Sequence, residues 1–192
     1  MRATSPGQSA LLALDVIDIL NRLRIPYAII GAFAASFYGV VRASLDVDAV
    51  ISLRPGQAEL KMLTDELHQA GLRTTYRQGD VRDPVGALLN VEDAFRNRVD
   101  LLMAIQGMTE TVFSRIVEAE FMSTRIRVIG LEDFIAMKIF AGSPKDLDDV
   151  AGALRVSAGR IRLPLLKELT GLYGKNALER LELLLREHNN AV

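Results

Sequence analysis

Between Leu45 and Leu53 the chain alternates, with Val47, Ala49 and Ile51 on one side of an extended backbone and Asp46, Asp48 and Val50 on the other. A segment so patterned lies in a sheet with one face buried. Two carboxylates at i and i+2 then project from the opposite face about 6–7 Å apart, close enough to share or bridge a hard cation. An ordinary half-exposed strand with a solvated acidic face gives the same pattern, so the surrounding elements must decide.

Upstream, Leu12, Val16, Ile19, Leu20 and Leu23 recur at helical spacing over residues 8–24, and Pro26 forbids continuation. Tyr27–Ile30 is short and apolar and stops at Gly31, which predicts a buried strand and a turn, and a short helix can follow over Ala32–Tyr38. Downstream, Pro55 opens a helix carrying Leu60, Leu63, Leu67 and Ala70, closed by Gly71. Strands are expected at Leu72–Tyr76, Val85–Val91 and Arg98–Ala104, then a short helix beyond Thr109 and a strand pair near Val117–Phe121 and Arg125–Ile129. From Leu131 onward the pattern is helical, with leucine stripes at Leu163–Leu172 and Ala177–Arg186. The expected fold is α/β (α+β), a mixed sheet flanked by helices, with a core over residues 1–130 and a helical region over 131–192 packed on it.

With 192 residues, 49% of them apolar, the chain can bury one substantial core. A net charge of −1 supplies no global pull toward nucleic acid or an anionic membrane. The absence of cysteine removes disulfides and thiolate chemistry and fits a reducing cytosol. The longest uncharged stretch, Ile25–Val41, is punctuated by Pro26, Gly31 and Gly39 and is shorter than the roughly 18–20 residues of a bilayer span. Asp15 and Asp18 interrupt the apolar run Leu11–Leu20, which argues against a secretory signal. The expectation is a cytoplasmic protein with no membrane partner.

Asp100 stands in the apolar strand segment Val99–Met103, where a carboxylate is costly unless solvated, paired with a cation such as Arg98, or bound to metal. The run GAFAASFYGVVRASLDVD from Gly31 to Asp48 resembles the first motif of the polymerase-β-like nucleotidyltransferase superfamily: a glycine turn, a helix, an arginine and an Asp-x-Asp strand. A second run, LEDFIAMKIFAGSPKDLDD from Leu131 to Asp149, is similar to the lysine helix and Lys-Asp-x-x-Asp turn of the branch containing AbiEii-type toxin nucleotidyltransferases. Aminoglycoside nucleotidyltransferases resemble it over the first stretch too.

The resemblance implies catalytic and metal-binding roles for Asp46, Asp48 and Asp100, with two Mg²⁺ ions (or Mn²⁺) as cofactors. It implies nucleotide-binding roles for Gly31, Ala32, Arg42, Lys138, Lys145, Asp146 and Asp149. The implied reaction moves a nucleoside monophosphate from an NTP such as ATP to a hydroxyl on tRNA, other RNA, protein or a small molecule such as an aminoglycoside. A toxin role would add an antitoxin partner. Ala32 departs from the Gly or Ser of many members and removes a hydroxyl contact to the triphosphate, which motivates the alternative of an inactive binding module. Ser36, a turn later, reads as a packing residue.

Other side chains have ordinary explanations beside the functional ones. Lys138 among Phe134, Ile135, Met137 and Ile139 can be a snorkelling lysine. Asp133 reads as an early-helix acid complementing the dipole. Lys145, Asp146 and Asp149 follow Pro144 at a helix start and can cap or pair there, and Arg42 can brace Asp48. Four basic residues from Arg155 to Lys167 form either an RNA stripe or a solvated helix edge. His68 and His188 lack partners at ligand spacing.

Overall fold

In the structure, a computed structural model describing residues 1–54, 56 and 58–190, seven strands form one sheet in the order β3-β4-β5-β2-β1-β7-β6. The strands are β1 Tyr27–Ile29, β2 Asp46–Ile51, β3 Arg73–Gln78, β4 Val85–Glu92, β5 Arg98–Ile105, β6 Val117–Phe121 and β7 Thr124–Val128. β2 runs parallel to β5, β1 runs parallel to β7, and the other neighbours are antiparallel. This is the mixed α/β sheet expected from the alternating segments.

Alternation sorts the two faces as the sequence requires. Val47, Ala49 and Ile51 of β2, Val99, Leu101 and Met103 of β5, and Ala87, Leu89 and Val91 of β4 are all buried. Helix α1, Ser9–Arg22, packs on β2 and β5 through Leu12, Val16, Ile19 and Leu20. It ends where Arg24 turns to φ 57°, two residues before Pro26. Helix α2, Gly31–Phe37, lies against β2. Helix α3, Ala58–Gln69, buries Leu63 and Leu67, whereas Ala70 lies past its end and is exposed. The predicted start at Pro55 lies outside the described residues. The other face carries Asp46, Asp48, Asn90, Glu92, Arg98 and Asp100, none of them fully buried.

The chain then crosses a 3-10 turn, Glu110–Ser114, and the β6–β7 hairpin before α4, Leu131–Ala141. Every residue of α4 from Leu131 to Ile139 is buried, because α5 (Pro144–Ser157), α6 (Leu163–Leu172) and α7 (Lys175–Asn190) pack around it. Gly142 closes α4 at φ 66°, and the Arg180 guanidinium fills the space a Cβ would take there, donating to the Ile139 carbonyl at 2.5 Å. Ser143 caps α5 by accepting from the Asp146 N–H, with Pro144 in the first turn.

Asp133 lies in the first turn of α4, as expected of an acid complementing the dipole, and it also accepts both 2.7 Å hydrogen bonds of a bidentate Arg115. Arg162, in the basic stripe, is exposed and pairs with the buried Glu132. The side chain of His188 lies outside the described residues, and His68 bonds Thr74 at 2.8 Å. Among the described residues no helix is long and apolar enough to cross a membrane.

Candidate active site

Gly31 begins the site because its φ of +61° suits glycine and because no other side chain would fit. A Cβ on residue 31 would stand 2.1 Å from Oδ2 of Asp48, so the carboxylate lies directly over the glycine. The Ile30 N–H donates to the Asp48 carbonyl at 2.9 Å, fixing the end of β1 against β2.

Register does the rest. In the parallel pair, Asp46 stands opposite Arg98 and Asp48 opposite Asp100. Directly paired residues share a face, so the three carboxylates predicted from sequence do come together on one side of the sheet. β4 continues the rows: Asn90 faces Asp100, and Glu92 faces Arg98. The Asn90 amide donates to Asp100 Oδ1 at 2.6 Å. Arg98 donates to Asp46 Oδ2 at 2.5 Å and places its Nε 3.6 Å from Asp100 Oδ1. A ladder of alternating charge, Asp46, Arg98, Glu92, Arg73, thus crosses four strands, with Arg73 ion-paired to Glu92.

The acids differ in proton affinity. Burial, followed by the neighbouring charges of Asp46 and Asp100, pushes Asp48 up to about 6, against weaker opposition from Lys138 and Arg42. Burial also acts to raise Asp46, but hydrogen bonds from Ser44, at 2.8 Å, and Arg98 outweigh it and hold that carboxyl below its ordinary value.

A second cluster borders the first. The Lys138 ammonium is buried and sits 2.6 Å from Asp146 and 2.9 Å from Asp149. Arg42 braces Asp149 rather than Asp48, with Nε 3.1 Å from Oδ1. Lys138 therefore does not snorkel to solvent. Burial acts to raise Asp146, but hydrogen bonds from Lys138 and Ser143 hold it low. Lys145 is not gathered with them; it is exposed and makes no ion pair with any described residue.

Arg42 and Asp46 also edge a cavity of about 460 Å³ walled by Ala32, Phe33, Ser36 and Phe121. Ser36 is thus half-buried at a cavity wall, and Ala32 is buried.

For a divalent cation, the donor chemistry of Asp46, Asp48 and Asp100 fits: three carboxylates on adjacent strands, one of them with proton affinity raised by burial and then by its acidic neighbours. Their side chains are not already drawn into a cage. Among the described residues no three His, Cys, Asp or Glu side chains stand together as a ready metal group, since Asp46 turns to Arg98 and Asp100 to Asn90. Asn90 is the site residue the sequence reading missed. Its alternation with the buried Leu89 and Val91 marked the correct face, but not the strand it would meet.

No protein-family model matches the chain, and no curated protein matches it. Solved structures do. The antibiotic-resistance factor ANT(2'')-Ia in solution is 17% identical with a TM-score of 0.57, over 94% of this chain and 96% of that one. Its crystal structure in complex with adenylyl-2''-tobramycin is 18% identical with a TM-score of 0.54, over 84% and 94%. An antigenic nucleotidyltransferase-like protein from Paracoccidioides brasiliensis is 14% identical with a TM-score of 0.57, over 98% and 92%. The chain has the nucleotidyltransferase fold. At these identities the likeness is one of fold, and it gives no support to the AbiEii-type branch.

Proposed function

We propose that this protein is a nucleotidyltransferase that moves a nucleoside monophosphate from an NTP to an acceptor hydroxyl and releases pyrophosphate. The observation that carries the reading is the in-register parallel pairing of β2 and β5, which sets Asp48 beside Asp100 on the open face, with Asp46 two residues away. Under this reading Asp46, Asp48 and Asp100 hold Mg²⁺ or Mn²⁺. Bound there, such ions offset triphosphate charge and favour ionisation of the attacking hydroxyl.

The chain's own groups divide the remaining work. The acceptor oxygen bonds to the α-phosphorus, the bond from that phosphorus to the bridging oxygen breaks, and the hydroxyl proton passes to Asp100. Lys138 and Arg42 add positive potential on the side where pyrophosphate leaves, and the backbone at Gly31 and Ala32 contacts phosphate without a side-chain hydroxyl. Asp146 and Asp149 hold Lys138 in place.

For the acceptor we favour a small molecule. The net charge of −1 supplies no global attraction to RNA, and the fold neighbour complexed with adenylyl-2''-tobramycin supports the same class. A tRNA acceptor with an antitoxin partner rests on the motif resemblance alone.

The test is thermal unfolding with and without Mg²⁺ and each of four NTPs, followed by pyrophosphate release with aminoglycosides and with total tRNA. A nucleotide-dependent rise in Tm in the parent that is lost in Asp48→Asn is the expected result. No rise with any nucleotide overturns the transferase reading.

A further inference from the structure

Resting on the reading of the three carboxylates as a cation site, we propose that Arg98 is the site's internal counter-cation and sets its affinity for divalent metal. The register leaves the guanidinium no neutral place to lie. Arg98 is directly opposite Asp46 and two residues before Asp100 on the same strand, so all three side chains leave the same face. Its Nη2 stands 2.5 Å from Asp46 Oδ2 and its Nε 3.6 Å from Asp100 Oδ1, which puts its positive charge between two of the three proposed ligands.

A magnesium ion needs oxygens at about 2.0–2.1 Å in near-octahedral array. An ion held by Asp46 and Asp100 would lie close to a guanidinium that already contacts both carboxylates, and two cations a few ångströms apart repel. Metal entry therefore favours the departure of Arg98. Leaving is feasible: the side chain is 47% exposed, so its departure unpacks no core. Bare divalent cation binds weakly on this account, because it competes with a charge already present. A nucleotide triphosphate shifts the balance by bringing its own oxygens to the ion.

The experiment measures Mn²⁺ binding without nucleotide, by loss of the free-ion paramagnetic resonance signal, in the parent, Arg98→Gln, Arg98→Lys and Asp48→Asn. Unfolding curves for each variant confirm that it is folded. Arg98→Gln, which keeps a polar side chain and loses the charge, is expected to bind Mn²⁺ at least about fivefold more tightly than the parent, and Arg98→Lys within about twofold of it. An unchanged or weaker affinity in Arg98→Gln overturns the proposal, as does equal tightening in Arg98→Lys, which would make the cause geometric rather than electrostatic. Asp48→Asn separates this proposal from the reading beneath it. Loss of binding there with no gain in Arg98→Gln sinks only the role of Arg98, whereas parent-like binding in Asp48→Asn sinks the cation site itself.

Discussion

Replacing Asp48 by asparagine removes one charge from a crowded cluster while keeping the shape that rests on Gly31. The magnitude follows from the proton affinity. An aspartate moved from 3.8 to about 6 binds its proton about two powers of ten more tightly in the folded protein, worth about 3 kcal/mol. The folded state then holds more protons than the unfolded one between about pH 4 and 6, so stability falls as pH rises through that window and the full penalty stands above it. Asparagine carries no such penalty. Asp48→Asn is therefore expected to be more stable than the parent by about 1–3 kcal/mol at pH 7.5, the lower figure allowing for water reaching the open sheet face, and about equal to it near pH 4. Urea unfolding of both proteins at pH 4, 5.5 and 7.5 without divalent cations measures the gap. A difference that does not grow with pH refutes the assignment of strain to the ionised carboxylate.

Gly31→Ala forces a left-handed φ on a residue with a Cβ and drives that atom into Asp48, a combined loss of about 2–4 kcal/mol; urea midpoints measure it, and adding Asp48→Ala should recover part of the loss. Asp133→Asn breaks the bidentate pair with Arg115 and is expected to cost about 2–4 kcal/mol in the same assay. Lys138→Met leaves Asp149 with Arg42 and Asp146 with, among the described residues, only the Ser143 hydroxyl; it should lower stability by about 2–4 kcal/mol and abolish the Tm rise given by Mg²⁺ with NTP.

What the sequence revealed and what it hid divide along local and non-local lines. The period of two in β2 and β5 sorted Asp46, Asp48 and Asp100 onto strand faces, and the glycine after β1 marked the turn beneath them. Neither pattern contains the parallel register that sets Asp48 beside Asp100 across more than fifty residues of chain. Asn90 was missed for that reason. Asp133 stands at a helix start as read, but its partner, Arg115, lies on a turn eighteen residues upstream, so the ion pair was not visible in the local pattern. Lys138 kept two readings until α5 was seen to bring Asp146 and Asp149 against it. Ala70 matched the helical stripe but fell beyond Gln69, where the helix had already ended.

The order of the strands also dictates a timetable for synthesis. β1 and β2 leave the ribosome early, but the seat between β2 and β4 is taken by β5, and the seat beside β1 by β7. Asp48 thus waits for residue 100 before it has its neighbour, and Lys138 arrives later still. At about 5–20 residues per second, the growing chain passes several seconds with its acids made and the lysine that offsets them not yet translated. A nascent chain stalled after β5 would hold the acidic half of the pocket without Lys138, and metal or nucleotide added to such stalled chains would meet a different electrostatic surface from the finished one.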